Sequence, residues 1–128
     1  MNIGSIAALT GLGGNPAYVA SKHAVSGLTR QAALDYAPHG IRINSVNMAA
    51  TTTPMTDRAY AFVKELQSAG PSSPTAMLKT MSLLMASDSQ HRMATVEEQA
   101  AIILFLLSAE ASNLTGALLA TDGGWTAY

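Results

Sequence analysis

Three side chains near the start of the sequence could act together on a proton: the hydroxyl of Ser5, the phenol of Tyr18 and the ammonium of Lys22. Tyr18 and Lys22 stand four residues apart in Tyr18-Val19-Ala20-Ser21-Lys22. On a helix that spacing puts both on one face, one above the other. A free phenol ionises near pH ~10, and a positive neighbour favours the ionised form, which brings such a group toward the range in which enzymes work. A hydroxyl, a phenol and an ammonium at one point make a proton-transfer device. The Tyr-Lys pair by itself is better explained by a solvated amphipathic face, so the reading depends on the surrounding elements.

Those elements follow in chain order. Ser5 closes a short β-type segment over residues 2–5, and Gly11, Gly13 and Gly14 give a flexible loop after it. Asn15-Pro16 is a helix start, with Asn as N-cap and Pro at the first helical position. Residues 17–37 hold no breaker except Gly27, and Pro38-His39-Gly40 ends the run, giving a helix of roughly 30 Å. Ala20, Ala24 and Gly27 line one side with small residues, and Val25, Leu28 and Ala32 extend its apolar surface. Residues 41–46 alternate and are β-branched, which predicts a strand. Strand, helix, strand with short connections is a βαβ unit and implies a parallel sheet with a right-handed crossover.

Residues 47–92 differ in character and read as a substrate loop or lid. Thr51-Thr52-Thr53-Pro54 and Gly70-Pro71-Ser72-Ser73-Pro74 frame two shorter helices, over 55–69 and 75–86. Met77, Met81, Leu84 and Met85 recur at helical spacing in the second. They form either a core or interface stripe or the underside of a lid over an apolar substrate. Thr95 is an N-cap with Glu97 and Glu98 in the first turn of an apolar helix ending near 107. Residues 113–116 form a turn, 117–121 a last strand, and Asp122-Gly123-Gly124 closes it. The fold class is α/β: one domain over residues 1–128, a partial, doubly wound Rossmann-like parallel sheet.

Composition narrows the function. The chain of 128 residues suits one domain. Only 12% of residues are charged, about half the usual share, so much of the surface is expected to be covered by a core or by other subunits. A net charge of −1, with no basic patch carrying aromatics, gives no reason to expect nucleic acid or an anionic membrane as partner. The absence of cysteine excludes disulfides and thiolate chemistry. The N-terminus has no basic region before an apolar stretch, and the longest apolar run, over 100–107, is too short to span a bilayer, so a cytoplasmic protein is expected. His23, His39 and His91 lack metal-ligand spacing, so no metal is expected. Trp125 and Tyr128 read as subunit-contact residues.

Taken together these motifs resemble the carboxy-terminal half of a short-chain dehydrogenase/reductase. The resemblance covers essentially the whole chain. The family's Tyr-x-x-x-Lys is matched by Tyr18 to Lys22, and its serine, thirteen residues earlier, by Ser5. The stretches Pro38-His39-Gly40-Ile41-Arg42-Ile43-Asn44-Ser45-Val46, Thr53-Pro54-Met55, Arg92-Met93-Ala94-Thr95-Val96-Glu97-Glu98 and Leu114-Thr115-Gly116 through Asp122-Gly123-Gly124-Trp125-Thr126-Ala127-Tyr128 follow in the family's order. The resemblance implies an NAD(P)-dependent oxidoreductase interconverting a secondary alcohol and a ketone. Tyr18 is then the general acid/base, and Lys22 assists it and binds the nicotinamide ribose. Ser5 holds the substrate oxygen, and Thr53 helps hold the nicotinamide end. A homodimer or homotetramer is implied as well.

Two departures stand out. Met48-Ala49 replaces the family's Pro-Gly, and Gly11-Leu12-Gly13-Gly14 follows the serine and precedes a different helix from the family's pyrophosphate-binding glycines. The family's amino-terminal half, with the residue that separates NAD from NADP, has no counterpart, so cofactor preference is unreadable. A sheet without that half exposes an apolar edge. The alternative function is therefore a non-catalytic, truncated relative acting as an oligomerisation or regulatory subunit.

Overall fold

The structure, a computed structural model, describes residues 1–11, 15–68 and 92–127. Gly13, Gly14, the helix expected over 75–86 with its methionine stripe, His91 and Tyr128 lie outside the described residues. Three parallel strands form one sheet in the order β1 (Asn2–Ile3), β2 (Ser45–Met48), β3 (Leu118–Thr121). Asn2 pairs with Ser45, and Val46 lies between Ile3 and Leu119. Helix α1 (Pro16–Tyr36) connects β1 to β2, α2 (Pro54–Ser68) follows β2, and α3 (Val96–Leu107) leads to β3. The βαβ order is the one the hydrophobic pattern predicts, and the helices start where capping chemistry puts them. Asn15 Oδ1 accepts the Tyr18 N–H, with Pro16 at the first helical position. Thr95 and Glu98 form a reciprocal capping box at the start of α3.

Side-chain alternation along β2 gives the sheet two unlike faces. Val46 and Met48 point toward α3, where Val46, Leu106 and Ala111 form a core with Ile102, Ile103 and Leu119 against it. Ser45 and Asn47 point the other way, toward α1, as does Asn2, whose Nδ2 donates to Thr29 Oγ1 of α1 at 3.0 Å. The buried residues of α1 are Ser26, Thr29 and Ala33. Leu28 is exposed, so the apolar surface read along Val25, Leu28 and Ala32 is not the face that α1 packs on the sheet.

The strand expected over 41–46 begins later and runs further, over Ser45–Met48. Side chains and backbone bonds share the approach to it, with the Ile43 carbonyl accepting the Gly116 N–H and the Asn44 carbonyl the Asn2 N–H. Thr115 Oγ1 accepts the Ile43 N–H at 3.1 Å, Asn44 Nδ2 donates to the Leu114 carbonyl at 2.8 Å, and Asn44 Oδ1 accepts the Ala117 N–H at 3.0 Å. Arg42 donates from Nη2 to the carbonyls of Leu106 and Ser108, both at 3.0 Å. That cation closes the carboxyl end of α3, where unpaired carbonyls concentrate partial negative charge. Because β2 reaches Met48, the region of different character starts after that residue and not at Asn47.

Asn44 is buried, and its truncation leaves the Ala117 N–H without its side-chain partner and the Leu114 carbonyl with only the longer bond from Arg42 at 3.3 Å. Asn44→Ala is expected to cost about 1–3 kcal/mol, read from the urea midpoint at unchanged slope. A loss under about 0.5 kcal/mol, the level of an ordinary surface change, would contradict the assignment. Glu98 gives a pH signature. The Arg92 side chain at 2.7 Å and the Thr95 N–H hold its carboxyl at about 2, below the ordinary 4.5. A depressed carboxylate stabilises the fold above its unfolded value, and that contribution fades as pH falls from 4.5 through about 2. The gap in thermal midpoint between the parent chain and Glu98→Gln is expected to close over that window; a gap independent of pH would oppose it. The pair is exposed and solvent-screened, so the gap is small.

Candidate active site

The geometry around Tyr18 is set by the cap of α1. Asn15 Oδ1 holds the Tyr18 N–H at 2.8 Å, and the phenol is 40% exposed, presented to solvent rather than packed. One turn on, Lys22 reaches back to the sheet, where its Nζ donates to the Ile3 carbonyl at the end of β1, 3.2 Å away. The same Nζ stands 5.7 Å from the centre of the Tyr18 ring, inside cation–π range. The ammonium therefore links the phenol to the carboxyl end of β1, the end at which parallel α/β sheets take their ligands.

Ser5 lies two residues beyond Ile3 and is buried. It is not in a strand but caps the short 3-10 turn Ile6–Ala8, with Oγ accepting the Ala7 N–H at 3.1 Å. A hydroxyl has one proton and two lone pairs, so this bond uses a lone pair and leaves the O–H to donate. Thr53 sits apart. It caps α2: its Oγ1 accepts the Thr56 N–H at 3.3 Å and lies 3.1 Å from Thr56 Oγ1. Ser5, Tyr18 and Lys22 thus share the end of β1 through Ile3, and no described hydrogen bond brings Thr53 to them.

Sequence reasoning missed Asn47. It is fully buried, and neither Oδ1 nor Nδ2 has a partner among the described residues; Ser45 Oγ is in the same condition. Both side chains crowd Gly4. A Cβ there would overlap Asn47 Oδ1 and come within 2.8 Å of Ser45 Oγ. A buried polar group without a partner costs about 1–3 kcal/mol, so this cluster runs against the default of an apolar packing surface. The available signal was an asparagine inside a β-branched run, two positions from a serine.

A cavity of about 580 Å³ opens elsewhere, at the carboxyl ends of β2 and β3, bounded by Ala49, Ala50, Met93, Ile102, Asp122 and Trp125 among others. None of Ser5, Tyr18, Lys22 or Thr53 lines it. Its polar groups are engaged with one another: Gln99 with Thr121, Arg92 with Glu98, Asp122 with Gly124 and Thr126. Trp125 is buried here at 6% exposure, within its own chain, so it is a packing residue rather than the subunit contact expected from its place in the tail. Among the described residues no group of His, Asp or Glu could hold a metal. No helix among them is long and apolar enough to cross a membrane.

Comparison with known proteins decides the family. A family model described as enoyl-(acyl carrier protein) reductase matches residues 1–126. A 3β-hydroxysteroid dehydrogenase of Mediterraneibacter gnavus is 44% identical over 133 residues, covering 100% of this chain and 48% of that protein. The chain belongs to the short-chain dehydrogenase/reductase family. The crystal structure of levodione reductase superposes with a TM-score of 0.77 at 32% identity, covering 98% of this chain and 45% of that one. A 4-hydroxyisoleucine dehydrogenase complexed with NADH superposes at 0.78 with 30% identity, covering 99% and 46%. Further similar chains are solved with NAD or NADP bound. The chain spans about half the length of the relatives it matches. The Rossmann-type fold read from the sequence is the fold of these dehydrogenases.

Past β3 of this family member, Asp122 organises the chain's end. Its carboxylate accepts from the Gly124 N–H at 3.0 Å and from the Thr126 N–H and Oγ1 at 2.8 and 2.6 Å, as turn chemistry predicts. Trp125, the single tryptophan, lies inside that turn. Asp122→Ala is expected to release the turn and move tryptophan emission to longer wavelength with the far-ultraviolet circular dichroism unchanged. Unaltered emission would show that Trp125 is held by its packing alone.

Proposed function

We propose that this chain supplies the proton-transfer side of an NAD(P)-dependent oxidoreductase that interconverts a secondary alcohol and a ketone. The observation that carries the reading is the Lys22 ammonium, placed between the Ile3 carbonyl and the exposed Tyr18 ring at the carboxyl end of β1. Tyr18 gives its proton to the carbonyl oxygen during reduction and takes it back from the alcohol during oxidation. Lys22 sets a positive charge beside the phenolate that this exchange leaves. Ser5, with a lone pair tied to Ala7, turns its O–H to the substrate oxygen and fixes it for reaction.

The residues present fit the nicotinamide-ribose end of the cofactor. Lys22 has three N–H donors and the Ile3 carbonyl takes one, so two remain for ribose hydroxyls. Thr53, at the start of α2, is read as helping to hold the nicotinamide end, on its match to the family's Thr-Pro-Met stretch. When bound, NAD(P) supplies or accepts the hydride. Relatives named for a hydroxysteroid and for levodione support an alcohol or ketone substrate.

A second reading, a non-catalytic subunit that pairs with copies of itself or with a fuller relative, is favoured by the exposure of Leu34, Leu104 and Leu107, at 73%, 68% and 61%. One experiment separates the two. The chain is combined with the glycine-rich amino-terminal half of a relative and assayed for NAD(P)H formation from cyclic secondary alcohols. Turnover is expected, and Tyr18→Phe is expected to lower it on the order of 10²–10⁴-fold with KM little changed. Turnover by Tyr18→Phe within twofold of the parent would overturn the proton-transfer role. Assembly without turnover would leave the subunit reading.

A further inference from the structure

Gly4 is the residue through which β1 hands over to Ser5. Its N–H donates to the Val46 carbonyl at 2.8 Å, so its backbone is fixed from the side of β2. Its Cα face is fixed from the side of α1, because the carboxamide of Asn47 approaches it closely enough to exclude a Cβ. Asn47 is itself fully buried on the central strand, with its register set by pairing to Ala120. Ser5 follows in extended conformation, at φ −161° and ψ 158°, and its Oγ receives the Ala7 N–H. A rigid β2 thus holds Gly4 by one hydrogen bond and one steric contact, and Ser5 has little freedom left.

We propose that Asn47 is a positioning residue for Ser5, acting through its contact with Gly4. The proposal rests on reading Ser5 as the donor to the substrate oxygen, and it adds what fixes that donor's place. A planar amide is the side chain that suits this contact. It fills the space above a glycine without the tetrahedral bulk of a branched carbon, and its unpartnered atoms mark a group kept there in spite of its polarity. Gly4 and Asn47 act as one fitted pair, in which neither can change size alone. The methyl that Gly4→Ala introduces would enter the volume the amide occupies. Asn47→Ala empties that volume and lets the Gly4-Ser5 backbone sink toward β2.

The test reads the Ser5 hydrogen bond directly, by amide hydrogen exchange of Ala7 in the 128-residue chain, with amides of β3 as reference. Asn47→Ala and Gly4→Ala are each expected to speed Ala7 exchange about tenfold or more while the β3 amides keep their rates. In Gly4→Ala combined with Asn47→Ala, the introduced methyl takes the vacated space once the Ser45 hydroxyl rotates from its 2.8 Å approach, and Ala7 is expected to exchange more slowly than in either single variant. Exchange in the double variant as fast as the product of the two single effects would show no coupling and overturn the proposal. Equal acceleration of the β3 amides and of Ala7 would reduce Asn47 to a general stabiliser and overturn it as well. Because the readout is a bond within the chain and not turnover, its failure leaves the proton-transfer reading standing, and failure of the turnover assay leaves this result unaffected.

Discussion

The arrangement of the molecule depends on Asn44. Its backbone carbonyl accepts the Asn2 N–H at 2.8 Å, and its side-chain amide holds both the Leu114 carbonyl and the Ala117 N–H. One buried residue thereby sets the start of β1 and the start of β3 against β2. Register in a parallel sheet fixes which face each side chain takes, so a slip by one residue would send Asn2 and Ser45 to the α3 side. Electrostatics offer no substitute. The Arg92–Glu98 pair is half exposed and screened by solvent, whereas the Asn44 amide is buried and the Ala117 N–H it accepts has no other described partner. The buried amide outweighs the ion pair.

The two faces of the sheet then divide the work. Toward α3 the contacts are apolar, among Val46, Leu106, Ile102, Ile103 and Leu119. Apolar burial supplies free energy but has no direction, so it does not by itself fix a helix along its axis. Toward α1 the contacts are polar, and Asn2 to Thr29 is a directional bond that does fix it. Thr29 is wholly buried and also donates to the Val25 carbonyl at 2.7 Å, so it is anchored within its own helix. α1 is the helix that carries Tyr18 and Lys22. The polar face accepts a cost in burial and gains a fixed height for the two residues relative to the end of β1.

Much of this was legible in the sequence because the relevant signals are local. Asn15-Pro16, Thr95 with Glu98, and the Tyr18–Lys22 spacing each act within one helical turn, and each has the geometry the sequence implied. The start of β2 was misplaced because alternation along Ile41 and Ile43 looks like a strand, while the groups that satisfy Ile43 and Asn44 come from about seventy residues away. Asn47 stayed hidden for the same reason: its significance lies in Gly4, on another strand. Thr53 was legible only as a match to a family motif; its hydroxyl caps α2 and is engaged with Thr56, which the motif did not indicate. The tail gave Asp122 its turn, but Trp125 folds inward against the cavity, a packing choice no short pattern encodes.

Hydrophobic content and hydrophobic core also diverge. The sequence is 48% hydrophobic, yet among the described residues the large side chains that reach full burial are Ile6, Val46, Leu106 and Trp125. Leu28, Leu34, Leu104 and Leu107 are more than half exposed instead. At about 25 cal/mol per Å² of apolar surface, leaving such leucines in water forgoes roughly 1.5–3 kcal/mol each, comparable to the whole contribution of a buried amide such as Asn44. Relatives of about twice this length share the same stretch and hold as much sequence again that can lie over such faces. Within the chain itself, directional bonds at Asn44, Arg42 and Thr29 must therefore carry a larger share of order than in a domain whose leucines are buried. Around Ser5, Tyr18 and Lys22, named hydrogen bonds and one steric contact therefore act beside the small buried cluster of Ile6, Ala7 and Ala8.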